Sequence, residues 1–252
     1  MKIIINFCLL LGMGMSTLAS PLDMERVVHL EKERRYGEAL ELCQKADESS
    51  ATLYLQGDYY YHGRKGVPRD KIRGRGYYRL AMEKLLPEAE TENALAQYQL
   101  ARCHEYGREE MKEAREWYFK AADAGNAQAM HKAAWFAARR IEAQEMEVDE
   151  ALELSLRYAQ SASKAGNPDG KALWAWLTHL VCGDRDFESA LPIFMESAKA
   201  NSLLGKTLLG RMYYEGSGVE QDLEKAEQYL QDAVDQGYSD ALETLEAIKK
   251  EK

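Results

Sequence analysis

Between residues 36 and 240 the chain repeats one pattern of small and bulky positions. A small residue is followed three places on by an apolar or aromatic one, and four places later by alanine or serine. The copies are Ala39/Leu42/Ala46, Gly74/Tyr77/Ala81, Ala114/Trp117/Ala121, Ser155/Tyr158/Ala162, Ala190/Ile193/Ser197 and Ala226/Tyr229/Ala233. Offsets of three and seven hold these positions on one helix face, with charged residues on the other. Successive anchors lie 35 to 41 residues apart, the period of a helix–turn–helix repeat. Small residues at the anchors allow two helices to approach closely, and the aromatic between them is expected to fill the seam. The pattern predicts second helices near 37–48, 70–84, 110–123, 148–164, 185–199 and 222–236. The intervening segments predict first helices near 24–35, 51–62, 92–106, 127–143, 169–182 and 202–214. Residues 239–252 read as an amphipathic capping helix, with Ala241, Leu242, Leu245 and Ile248 inward and a Glu- and Lys-rich outer side.

Turn chemistry sharpens the frame. From Leu209 the chain reads Leu-Gly-Arg-Met-Tyr-Tyr-Glu-Gly-Ser-Gly-Val-Glu-Gln-Asp-Leu-Glu-Lys-Ala. Gly216 and Gly218 can take positive φ and end a first helix, and Val219 packs the turn. Asp222 is placed to cap the second helix, as is Asp70 after Gly66-Val67-Pro68-Arg69. Gly125, Gly166 and Gly237 end second helices. The frame Gly210, Tyr213, Gly216, Gly218, Val219, Asp222, Ala226, Tyr229, Ala233 and Gly237 resembles the Sel-one-like repeat (SLR) family, relatives of the tetratricopeptide repeats. That resemblance covers most of 36–240, with its best unit at 203–238. It implies an all-α solenoid, a right-handed superhelix of antiparallel helix pairs, with about six units plus the cap. Units two to five depart from the pattern in the inter-helix loop: Gly107 leads directly to Glu109-Glu110, and Glu142–Asp149 replaces the Gly-Val turn.

The first nineteen residues stand outside the repeat. Lys2 precedes an apolar run from Ile3 to Met15, and Ser16-Thr17-Leu18-Ala19 closes it with small residues. A run of about 13 residues is too short to span a bilayer but suits a signal-peptide core. Cleavage is expected after Ala19, giving an exported protein of residues 20–252, in a bacterial periplasm or secreted, or in the endoplasmic-reticulum lumen of a eukaryote. Cleavage removes Cys8, which lies too early to carry a lipid, and leaves Cys43, Cys103 and Cys182. These fall in units one, three and five, and non-adjacent units of a solenoid are expected not to touch, so no intramolecular disulfide is expected. A net charge of −9 gives no basic footprint for nucleic acid.

The residues offer little chemistry. No nucleophile elbow, phosphate-binding loop or dinucleotide fingerprint is present. Cys103-His104-Glu105 are helix neighbours that point about 100° apart and cannot share one ion, and His179 with Cys182 supplies only two ligands. The acidic pairs at 109–110 and 145–150 read as solvated faces and first-turn acids. Neither catalysis, a metal nor a cofactor is expected. Two surface features are candidates for partner binding. One is a basic cluster, Arg64, Lys65, Arg69, Lys71, Arg73, Arg75 and Arg79, opposed in the sequence only by Asp70. The other is a set of first-helix aromatics, Tyr54, Tyr98, Trp135, Trp174 and Trp176, on the helices that line the inner face of such a solenoid.

The resemblance implies a protein–protein adaptor, regulator or scaffold, and the partner is expected to be another protein, bound by a monomer without stable membrane insertion. Two narrower readings stay open. Small exported SLR proteins can neutralise secreted antibacterial phospholipase toxins, and some cysteine-rich relatives are linked to cell-wall fragments, although this chain lacks their regularly paired cysteines.

Overall fold

The computed structural model describes residues 20–139, 147–181 and 185–251, and these fold as thirteen α-helices with no strand among them. Six consecutive pairs follow one another: α1 (Met24–Lys32) with α2 (Tyr36–Lys45), α3 (Ser50–His62) with α4 (Lys71–Glu90), and α5 (Ala94–Cys103) with α6 (Met111–Asp123). Then come α7 (Ala127–Arg139) with α8 (Val148–Lys164), α9 (Pro168–Ala175) with α10 (Phe187–Lys199), and α11 (Leu203–Glu215) with α12 (Leu223–Asp235). A 3₁₀ turn, Ser239–Ala241, leads into the cap α13 (Leu242–Glu251), which buries Ala241, Leu245 and Ile248 as expected. The proposed signal segment, residues 140–146 of the loop expected at Glu142–Asp149, and Cys182 lie outside the described residues.

The helix starts are fixed by short polar side chains. Asp23, Ser49, Asp70, Asn93, Asn167, Asp186, Ser202 and Asp222 each accept a hydrogen bond from a first-turn amide. Each satisfies a donor the helix cannot satisfy itself, typically worth about 1 kcal/mol. Gly216 and Gly218 do take positive φ (both +71°), and so do Gly63 and Gly66 of the equivalent loop in unit two.

Units three and five, which lack those glycines, solve the same corner differently. Their first helices widen into a π turn, at His104–Arg108 and Trp176–Val181, and a single non-glycine residue in the left-handed region, Glu109 or Arg185, precedes the next helix. The amides of Glu110 and Asp186 then close the turns on the carbonyls of His104 (3.0 Å) and His179 (2.8 Å). One element also outruns its expectation: α4 continues through Pro87 to Glu90. Pro87 removes the partner of the Glu83 carbonyl, but both residues are exposed to water, and burial of Leu85 and Ala89 beyond the expected end holds the helix together.

The seam between helices runs one residue later than the repeat pattern placed it. The fully buried residues sit four places after each anchor: Cys43, Tyr78, Tyr118, Ala159, Phe194 and Leu230. At the third place, Tyr158 is buried, whereas Leu42, Tyr77, Trp117, Ile193 and Tyr229 are only half-buried. The anchor, fourth and seventh positions span about 60° of helix surface, while the third lies about 60° to the other side of the anchor. The third position therefore falls outside the buried arc, and the fourth lies within it.

The superhelix turns tightly enough that its ends meet. The Lys65 amide donates to the Asp235 carbonyl at 2.9 Å, joining the loop after α3 to the end of α12. Arg34, in the loop after α1, pairs with Asp232 on α12, and a Cβ at Gly237 would collide with the Arg64 guanidinium. This corrects the expectation that non-adjacent units stay apart. A small rotation per repeat, accumulated over six units, brings the last against the first two. Among the described residues the cysteines stand apart from the seam: Cys43 and Cys103 are buried free thiols in separate core clusters.

Candidate functional site

A largely buried network joins units two, three and four. Asp58 on α3 is its centre. Its two carboxylate oxygens receive Arg102 of α5 and Arg64 of the α3–α4 loop, each at 2.6 Å, and the Tyr78 hydroxyl donates to it at 3.2 Å. Arg102 also donates to the Tyr54 hydroxyl at 3.0 Å and to His62 Nε2 at 2.9 Å, and lies 5.3 Å from the Tyr106 ring centroid. A second knot adjoins the first. Glu105 accepts from Tyr118 at 2.5 Å and from Lys132 of α7 at 3.3 Å, and Lys132 also reaches the Tyr106 hydroxyl at 3.2 Å.

The electrostatics settle what these groups can do. Burial alone would raise the Asp58 carboxyl, but Arg102 and Arg64 overcome it and hold it well below the usual carboxylate range. Glu105 is likewise pushed up by burial and brought below its ordinary value by Lys132 and the Tyr118 hydroxyl. Burial lowers His62 to about 3, so its imidazole is neutral and accepts from Arg102. Burial pushes the Cys43 thiol up to about 12, which makes a poor nucleophile, and raises Cys103 as well. No group here is poised near neutrality. This is an ion-pair network closed upon itself, and it fastens three repeats together. Among the described residues no cluster of three or more His, Cys, Asp or Glu could hold a metal ion.

The structure gives most of the basic cluster read from the sequence partners within the chain. Arg64 turns inward to Asp58. Arg73 lies flat over Tyr60, 4.1 Å from its centroid, and Arg75 pairs with Glu109 of the next unit. Arg69 and Arg79 donate to the carbonyls of Tyr61 and Gly107. Lys71 lies 5.6 Å from the Tyr61 centroid, and Lys65, Arg69, Lys71, Arg73 and Arg79 all remain exposed, the Lys65 backbone at the seam. Asp58 and Glu109 are the opposing charges that sequence distance hid, at six and 34 residues from their arginines.

The aromatic set is also divided. Tyr54 is buried within the network. Tyr98 is half-buried, 5.9 Å from Tyr118, and Trp135 stands edge-on to Phe136 at 4.9 Å. Trp174 and Trp176 are both half-buried against the core of units three to five, Trp176 reaching the next cluster as well. They form no continuous stripe. His104 is mostly buried and bonds Glu110 at 2.7 Å, while Cys103 and Glu105 point elsewhere. The residues that sequence reasoning missed are Asp58, Arg102, Glu105 and Lys132. The one signal each gives is a charged residue on the core side of a first helix.

The family model for the Sel1 repeat matches residues 51–84, 94–126 and 199–238. Among solved structures, a Sel1 repeat protein from Oxalobacter formigenes aligns at 24% identity over 89% of each chain, with a TM-score of 0.47. A protective antigen of uropathogenic Escherichia coli displaying an SLR fold aligns at 23% identity over 83% of this chain and 44% of its own, with a TM-score of 0.46. A sel1 repeat protein from Klebsiella pneumoniae aligns at 19% identity over 67% of this chain and 99% of its own, with a TM-score of 0.40. No curated protein matches the chain. No described helix is long and apolar enough to cross a membrane. The chain thus carries three Sel1 repeats, and its six consecutive helix pairs form a tetratricopeptide-like α/α solenoid.

Proposed function

We propose that this protein is an exported scaffold that binds another protein and performs no chemistry of its own. Sel1 repeats generally serve protein–protein binding, and a solenoid offers a long curved surface where an enzyme would need a closed pocket. The observation that carries the reading is the state of the buried network. Its ionisable side chains are tied to one another, with Asp58 and Glu105 held ionised and His62 held neutral. Such groups can position a backbone but are not poised to move protons near neutral pH. Export rests on the charged start, apolar run and small-residue exit of residues 1–19.

The test is affinity capture with residues 20–252 from envelope extract of the native host, followed by reconstitution with the purified captured protein. A stoichiometric complex formed by the two purified components, with no turnover of the partner, is the expected result. A captured phospholipase would narrow the role to toxin neutralisation. Absence of any reconstituted complex, together with hydrolysis of envelope components by the protein alone, would overturn the reading.

A further inference from the structure

Helix α4 presents an apolar stripe on the side away from the core. Ile72, Leu80 and Leu86 are 87%, 50% and 44% exposed, three of the nine large apolar side chains that stand exposed among the described residues. With Gly76, Glu83 and Pro87 they fall within an arc of about 120°, opposite the buried Gly74, Tyr78, Leu85 and Ala89. Gly76 leaves a gap in the stripe, since a carbon added there would meet nothing within 4 Å. Large residues around a bare glycine suit close packing against another helix.

The charges of α4 say which helix that is. Five others, α1, α2, α6, α8 and α10, carry acids in the first turn and bases in the last, as the helix dipole favours. Helix α4 reverses the order: Lys71 and Arg73 stand in its first turn, Glu88 and Glu90 in its last. Contacts within the chain leave this reversal in place. Glu109 neutralises Arg75, and Asp70 stands at the cap. Lys71, Arg73 and Arg79 meet the Tyr61 ring, the Tyr60 ring and the Gly107 carbonyl rather than carboxylates, so this half keeps a positive excess. In the other half Glu83, Glu88 and Glu90 outnumber Lys84, which donates to the Glu48 carbonyl. A face basic at one end, acidic at the other and apolar between is complementary to itself turned end for end.

We infer that a second copy of this chain covers the stripe, with the two α4 helices antiparallel about a two-fold axis at the level of residue 81. In that register Arg79 of each copy faces Glu83 of the other, and Leu86 lies over the bare Gly76. Each end of α4 then meets opposite charge, which offsets the cost of its reversed dipole pattern. The inference goes beyond the scaffold reading: it replaces the expected monomer and leaves the rest of the solenoid surface to the scaffold's partner. A helix of 20 residues is about 30 Å long, and one face of it covers less than the about 800 Å² per partner of a stable interface. The dimer is therefore weak and dissociates on dilution.

Sedimentation equilibrium of the purified protein from about 1 to about 300 µM tests this. The expected result is a mass that rises from one chain toward two, with association weakened about tenfold or more in Ile72→Glu/Leu80→Glu. Both residues are exposed, so the variant keeps its fold, checked by helicity and melting temperature. Met195→Glu, at an exposed apolar residue on α10, should associate as wild type does. Arg79→Glu should weaken association by setting acids against Glu83, and adding Glu83→Arg should restore it. The inference is overturned if wild type stays a single chain throughout, if Ile72→Glu/Leu80→Glu associates as wild type does, or if the second swap fails to rescue the first. Capture of an envelope protein by single-chain wild type, lost in Ile72→Glu/Leu80→Glu, would give the face to that partner and overturn it too. A dimer found without any captured protein would sink the scaffold and leave this inference standing.

Discussion

Asp58→Ala should lower the folding free energy by about 3–5 kcal/mol, the cost of leaving buried guanidinium groups without their carboxylate. Arg102 is the reason for so large an effect. Its other hydrogen-bond partners are the neutral Tyr54 hydroxyl and His62 ring, and its Nε is buried with no partner at all. Arg64 is also left without Asp58, although it lies near the seam and can turn toward water. Denaturant unfolding followed by helicity gives the number. Asp58→Leu combined with Arg102→Met should recover most of the loss, because an apolar pair of similar volume needs no charge partner. A loss under about 1 kcal/mol for Asp58→Ala would mean the network contributes no more than surface pairs do.

The same network sets the response to acid. His62 titrates near 6.5 in the unfolded chain and at about 3 in the fold, so the unfolded state binds more protons between those values. Asp58 also has a folded value below its unfolded 3.8. Both contributions are complete above pH 6.5 and decline as pH falls, His62 through the window from 6.5 to about 3 and Asp58 below 3.8. The groups facing His62 are Asp58, Arg102, Arg64 and Lys132. The slope from one such histidine is at most about 1.4 kcal/mol per pH unit. His62→Gln should flatten that slope, leaving the share of His131, which burial lowers to about 4.

Two glycines on α4, two residues apart, should respond to alanine with opposite signs. A Cβ on Gly74 would stand 2.5 Å from the Tyr61 amide nitrogen and 2.7 Å from its Cα, both backbone atoms of the facing helix. Helices α3 and α4 would have to separate, costing about 1–3 kcal/mol and outweighing the gain in helix propensity. Gly76 faces open space, with nothing within 4 Å of the same added carbon. Gly76→Ala should therefore stabilise the protein by up to about 1 kcal/mol. Thermal melts of both variants decide it: equal shifts would deny the close approach that the repeat pattern implies at Gly74.

Gly74 also shows what was legible before any coordinates. Its role as a helix-contact glycine, the caps at Asp70 and Asp222 and the pairing of helices all rest on interactions within about one repeat, where chain neighbours decide structure. The one-residue shift of the buried stripe was not legible, because Tyr77 and Tyr78, or Trp117 and Tyr118, are both aromatic, and only packing chooses between them. The π turns at 104–108 and 176–181 escaped for a related reason: they replace a glycine signal with left-handed Glu109 and Arg185, residues with no turn signature. Asp58 with Arg102, Glu105 with Lys132 and Arg34 with Asp232 are separated by 44, 27 and 198 residues. A local pattern carries no information about such pairs. They depend on the curvature of the whole superhelix, which a repeat period leaves open.

Closure of that superhelix, which sets the last unit against the first two, is the feature that the repeat period least foretells. It is tested most directly by replacing Lys65 and Asp235 with cysteine and oxidising the dilute monomer. The Lys65 amide and Asp235 carbonyl are 2.9 Å apart, which brings the two backbones within reach of a disulfide, while native Cys43 and Cys103 are buried. The account predicts rapid and nearly complete intramolecular crosslinking, seen as a faster-migrating monomer on a non-reducing gel and absent from either single variant. A folded double variant that forms only intermolecular disulfides, or none, would contradict it and open the solenoid into a spiral with free ends.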